Sequence, residues 1–165
     1  MDPQYKLTES RLIIHDAELA IDCDVPFDPA TEQRELYPTG ELYHISYRQN
    51  GLLHGPSRFY AKTGQLLSET WFVSGQKQGK ARFYTLSGQL VSLQRFKDGK
   101  PSQLQEYYYE DGSKKTEMPY SSGVLHGTVL LFWPSGKKKR EVSFQHGKRT
   151  GKDQIWNEEG QLVTL

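Results

Sequence analysis

Protein chemistry starts from a nucleophile beside a base, a cluster of metal donors, or paired carboxylates in a cavity, so the residues able to form such sets come first. The five histidines, His15, His44, His54, His126 and His146, show no ligand spacing. His54 and His126 each precede a glycine, but Gln78, Ser102 and Thr150 fill that place elsewhere, so these imidazoles read as turn residues. The single cysteine, Cys23, has no second thiol for a disulfide or a thiolate cage, and reads as a small apolar residue. Pairs such as Gly75 and Gly79 lack the Gly-Lys-Ser/Thr ending of a phosphate loop and read as turns. The expectation is a chain that is not an enzyme, with no catalytic residues, no metal and no cofactor.

The elements that carry these residues are constrained by composition. A chain of 165 residues and 19.0 kDa has the size of one folded unit, yet only 35% of it is hydrophobic and 25% is charged, with a mean hydropathy of -0.74. That is too little apolar material for a thick core, and it favours a thin or extended architecture. No apolar run approaches the roughly 18 to 20 residues needed to cross a bilayer, and no basic segment followed by an apolar one opens the chain. A cytoplasmic location is expected, with export by a route that uses no cleaved signal left open.

The glycines supply the plan. Gly40, Gly64, Gly88, Gly112, Gly136 and Gly160 recur every 24 residues, as do Gly51, Gly75, Gly99, Gly123 and Gly147. A third column, Gly55, Gly79, Gly127 and Gly151, keeps the interval and is interrupted only by Gln103. Fixed glycines at fixed offsets mean recurrent turns, and Asn50-Gly51 and Asp98-Gly99 are strong hairpin signals. Two strands per 24 residues follow. Counted from the first glycine, offset two (Leu42, Leu66, Leu90, Leu162) and offset eight (Phe72, Phe96, Tyr120, Phe144) are both even, which predicts one shared, buried face. The second strand of each unit ends in an aromatic residue: Tyr60, Tyr84, Tyr108, Phe132 and Trp156. The residue before it is apolar in every copy: Phe59, Phe83, Tyr107, Leu131 and Ile155.

These motifs resemble a known repeat. The run Tyr60-x-x-x-Gly64-x-Leu66, then Phe72 ahead of Gly75, then Gly75-x-x-x-Gly79, is similar to the MORN repeat, in particular the bacterial variant found in YwqK-like antitoxin proteins. The resemblance covers residues 36 to 165. It implies an all-β fold: one elongated, twisted antiparallel meander of 24-residue β-hairpin repeats, each contacting mainly its neighbours. Residues 36–165 are then the array of about five units. Residues 1–35 are an acidic N-terminal capping segment, in which the alternation over Leu19, Ile21, Cys23 and Val25 predicts a strand or a degenerate hairpin. Pro26, Pro29 and the polar run to Gln33 read as a loop into the array.

Charge supplies the functional lead. Residues 1–35 carry three basic and nine acidic side chains, whereas residues 113–152 carry nine basic and two acidic ones. The basic patch comprises Lys114, Lys137, Lys138, Lys139, Arg140, Lys148, Arg149 and Lys152. The resulting expectation is a scaffold that binds another protein through the aromatic row Tyr60, Tyr84, Tyr108, Phe132 and Trp156, through the basic patch, or through both. By resemblance that partner is a cognate toxin or an assembly of the host cell. The alternative reading is peripheral binding to anionic phospholipid through the basic repeats. Net charge of only +1 makes nucleic acid a poor candidate, and head-to-tail self-association between the oppositely charged ends is a further one.

Overall fold

The computed structural model describes residues 13–14, 23–24 and 26–163. In chain order the strands begin with β1 (Ile13–Ile14), β2 (Cys23–Asp24), β3 (Glu32–Leu36), β4 (Leu42–Gln49), β5 (Leu52–Leu53) and β6 (Gly55–Tyr60). They continue with β7 (Leu66–Val73), β8 (Gln76–Tyr84), β9 (Leu90–Lys97), β10 (Lys100–Pro101), β11 (Gln103–Tyr108) and β12 (Lys114–Ser121). The last are β13 (Val124–Leu125), β14 (Gly127–Phe132), β15 (Lys138–Gln145), β16 (Lys148–Trp156) and β17 (Leu162–Val163). From β3 to β17 the long strands pair consecutively and antiparallel, and the short β5, β10 and β13 pair beside them in one 15-stranded sheet. The expected meander of hairpins is what the chain forms.

Both glycine columns mark the bends. At the tight turns the residue before the glycine also has positive φ, as in Ser74 (+47°) followed by Gly75 (+81°), which is the two-residue geometry that matches strand twist. The turn glycine also joins repeats. Gly75 N donates to Leu53 O at 2.7 Å, Gly99 N to Lys77 O at 3.0 Å, Gly123 N to Pro101 O at 3.1 Å and Gly147 N to Leu125 O at 2.8 Å, always 22 residues back. A Cβ on Gly75 would meet only Leu52 at ordinary contact distance, so Gly75→Ala tests the backbone alone. It should cost about 1–2 kcal/mol in urea unfolding, from the left-handed φ. Gln103 breaks the third column in residue type but not in conformation, since its φ is +58°.

Register explains why the repeat has this length. Along one row across the sheet the paired residues are His44, Phe59, Ser68, Phe83, Ser92, Tyr107, Thr116, Leu131, Arg140 and Ile155. The separations alternate between 15 and 9 residues, so each 24-residue unit adds one bulky and one smaller or polar side chain. Phe83 and Tyr107 therefore each lie between small neighbours, and Ser57, Ala81, Ser92, Val129 and Val142 on this face are buried.

Two expectations need correction. Offsets two and eight do not share a face, because a bulge recurs after the first strand residue: Leu66 pairs with Tyr60, whereas Ser68 pairs with Phe59. Tyr60 and Phe59 are adjacent and point to opposite faces, so the extra residue moves the leucine column to the face away from Phe72. That column is half-buried at Leu66 and Leu90, and Leu162 is exposed. The segment read as a loop up to Gln33 is also shorter. A 3-10 turn at Pro29–Thr31, capped by Asp28 Oδ1 accepting from Ala30 N, leads into strand β3 from Glu32. In the region read as a strand or hairpin, β1 and β2 pair antiparallel, and the rest lies outside the described residues.

Candidate functional site

Among the described residues, three neighbouring strands bring together an arrangement with the connectivity of a hydrolase. The Glu35 carboxylate lies 3.0 Å from His44 Nδ1, and His44 Nε2 lies 2.8 Å from Ser57 Oγ. A carboxylate only accepts, so Nδ1 carries a proton and donates to Glu35. The surroundings do not suit attack on a substrate. Ser57 is 5% exposed, and the His44 ring stacks on Phe59 at 4.1 Å and 13°. Neither Ser57 nor His44 lines any of four hollows formed by the described residues. The network satisfies the buried His44 on β4 and Ser57 on β6, with the exposed Glu35 of β3 as the outer partner. It lay unseen in the sequence because the three residues are local in space only after the strands pair.

His54 and His126 stand beside the turns and accept from the next repeat, and His15 lies outside the described residues. Ser74 N donates to His54 Nδ1 at 3.3 Å, and His146 N approaches His126 Nδ1 at 3.5 Å; Gln78 Oε1 accepts from Asp98 N at 2.8 Å in the equivalent place. Each side chain thus docks the next repeat's tight turn. Among the described residues no group of three or more His, Cys, Asp or Glu side chains could hold a metal ion.

The basic patch is divided by the sheet. Lys114 bonds Glu106 at 3.0 Å and Glu117 at 2.6 Å, and Lys138 bonds Glu141 at 2.5 Å. Arg140 and Arg149 both reach Asp153 at 2.5 Å; the Arg140 hydrogen bond first, and then the charges of the two arginines, hold its carboxyl below the ordinary range. Lys137 donates to Glu159 O at 3.2 Å, Lys139 stands over the Trp133 ring at 4.0 Å, and Lys148 is exposed. Lys152 lies in β16, and its side chain is outside the described set. Half of the patch is therefore neutralised by acids that only the fold brings near.

The aromatic row is half-buried along its length. Tyr60, Tyr84, Tyr108, Phe132 and Trp156 pair with Leu66, Leu90, Lys114, Lys138 and Leu162, on the face opposite Phe59 and its equivalents. A column that sequence reasoning missed fastens the row. Tyr37 Oη donates to Tyr60 O at 2.8 Å, Tyr109 Oη to Phe132 O at 2.9 Å and Trp133 Nε1 to Trp156 O at 3.1 Å. The signal was an aromatic three residues before Gly40, Gly112 and Gly136, hidden because Ala61, Thr85 and Asn157 interrupt it.

At the N-terminal end Phe27 covers the first repeat. Its ring meets Tyr47 at 4.6 Å and Trp71 at 6.0 Å, and it fills the space beside Gly55 where a Cβ would approach it to 2.9 Å. Tyr47 Oη donates to Glu32 at 2.8 Å. Burial first, and then that carboxylate, push the phenol from 10.0 up to about 12. A raised folded value means stabilisation that is complete below pH 10 and lost as pH rises through 12. Stability should fall by on the order of 2 kcal/mol across that interval, less in Tyr47→Phe, with phenolate absorbance as the check.

The MORN repeat variant family model matches residues 104–122 and 125–146. No curated protein matches the chain. Among solved structures, a chain from the crystal structure of accessory secretory protein 1, 2 and 3 of Streptococcus pneumoniae is similar at 17% identity and a TM-score of 0.36. That likeness covers 74% of this chain and 21% of the other. The hairpins are in phase and the matched segments span β11 to β15, so the chain is a β-hairpin repeat protein in which residues 104–122 and 125–146 are similar to the MORN repeat variant.

Proposed function

We propose that this chain is a non-catalytic scaffold that binds another protein across the face of its sheet. The observation that carries the reading is the sheet itself: one layer, continuous from β3 to β17, with broad faces. Repeats of this type are commonly binding surfaces, and by resemblance to YwqK-like antitoxins the partner is a cognate toxin or a cell assembly. Anionic lipid is less well supported, because Lys114 and Lys138 are paired with carboxylates and lie on the face of the sheet opposite Arg140, so the basic run presents no single continuous surface.

Two measurements test the reading. Cross-linking in native lysate followed by purification should recover a protein at fixed stoichiometry; recovery of none sinks the scaffold. A fluorophosphonate probe should leave Ser57 unlabelled, and labelling that disappears in Ser57→Ala would make the Glu35, His44 and Ser57 network catalytic.

A further inference from the structure

Two hollows on the surface meet at Met118. One, of about 480 Å³, is lined by Ser92, Tyr107, Lys115 and Thr116; the other, of about 210 Å³, by Val129, Leu131, Val142 and Phe144 with Arg140 and Arg149 at its margin. Tyr107, Thr116, Leu131 and Arg140 are successive members of one cross-strand row, so the hollows are parts of one groove over β9 to β16.

The strands sort charge between the two faces. Glu106, Glu117 and Glu141 belong to the adjacent row, with Leu93 and Leu130, and alternation sends that row to the other side. The groove keeps the cations: Lys115, Arg140 and Arg149, against the single carboxylate of Asp153 that both arginines share. Its floor is apolar, and its margin carries a net positive charge spaced along the length.

We propose that this groove binds an extended, acidic segment of a partner protein, with apolar side chains seated over Met118 and Phe144 and carboxylates turned to Lys115, Arg140 and Arg149. Guanidinium forks favour carboxylates, and apolar anchors in a small hollow supply the affinity. The cations are too few for a polyphosphate backbone, which needs many phosphate contacts. The inference rests on the protein-binding reading above and gives the partner its chemistry.

Met118 is the only methionine besides Met1, so methyl-labelled methionine reports on the groove floor. A random linear-peptide display library is selected on the full chain. The expected winners alternate Asp or Glu with Leu, Ile or Phe, shift the Met118 methyl signal, and bind Lys115→Gln/Arg149→Gln about tenfold or more weakly. The control Lys137→Gln/Lys148→Gln, equal in charge change but away from the groove, binds them as the unaltered chain does. Circular dichroism matching the unaltered chain confirms that both variants are folded.

Winners without acids, winners indifferent to the groove variant, or no winners at all would each overturn the proposal. Binding to phosphatidylcholine–phosphatidylserine vesicles that the groove variant abolishes would overturn it in favour of lipid. A lysate partner that still binds the groove variant removes the groove and leaves the scaffold standing, whereas recovery of no partner removes the scaffold.

Discussion

Trp71→Ala is expected to lower stability by about 3–5 kcal/mol, the range for deleting a large buried aromatic side chain. Trp71 is 1% exposed, sits across from Pro56 in the β6–β7 pair, and receives Phe27 edge-on at 6.0 Å. In a sheet this thin no second layer can move in to fill the space. Because a stacked array is stabilised mainly by contacts between neighbours, the loss should be local. Amide exchange should quicken across β4 to β8 and stay near its original rate across β12 to β16. A uniform loss of protection would show instead that the sheet opens as one cooperative unit.

Glu106→Ala is the second large effect, again about 3–5 kcal/mol, because it strands a buried cation. Arg95 is 3% exposed; its guanidinium reaches the Glu106 carboxylate at 2.8 Å and Leu104 O at 2.5 Å, while Lys114 approaches the same carboxylate at 3.0 Å. Burial alone would raise the Glu106 carboxyl, but the bonds from Arg95 and Lys114 outweigh it and hold the group below its ordinary 4.5. A depressed folded value gives stabilisation that is present above pH 4.5 and lost as pH falls through the folded value. Urea unfolding at a series of pH values should therefore show an acid slope below 4.5 that is shallower in Glu106→Gln. Identical slopes would place the acid sensitivity elsewhere.

The bends were legible because glycine has a conformational reason to recur: Gly40 to Gly160 and Gly51 to Gly147 fall where the backbone turns back. Facing was less legible. A period-two count is correct only while no residue is inserted, and the bulge opposite Phe59 and Tyr60 reverses it there and at Phe83, Tyr107 and Leu131. The charged contacts were hidden for another reason. Arg95 and Glu106 stand at different repeat offsets, and Arg140 and Asp153 are 13 residues apart, so neither pair repeats as a column. Phe27 lies before the first glycine, and no period could assign it to Gly55. For the candidate site, the basic run was visible as composition, whereas its division into paired cations and a groove margin depends on strand alternation and on Glu106, Glu117, Glu141 and Asp153.

The most direct test of a surface built from hairpins in 24-residue phase is a solution NOESY spectrum of the labelled chain. Cross-strand backbone contacts should join His44 to Phe59, Ser68 to Phe83, Ser92 to Tyr107, Thr116 to Leu131 and Arg140 to Ile155, each pair 15 residues apart and one repeat beyond the last. Helical contacts anywhere between Gly40 and Gly160, or strand pairs displaced from that series, would contradict the account.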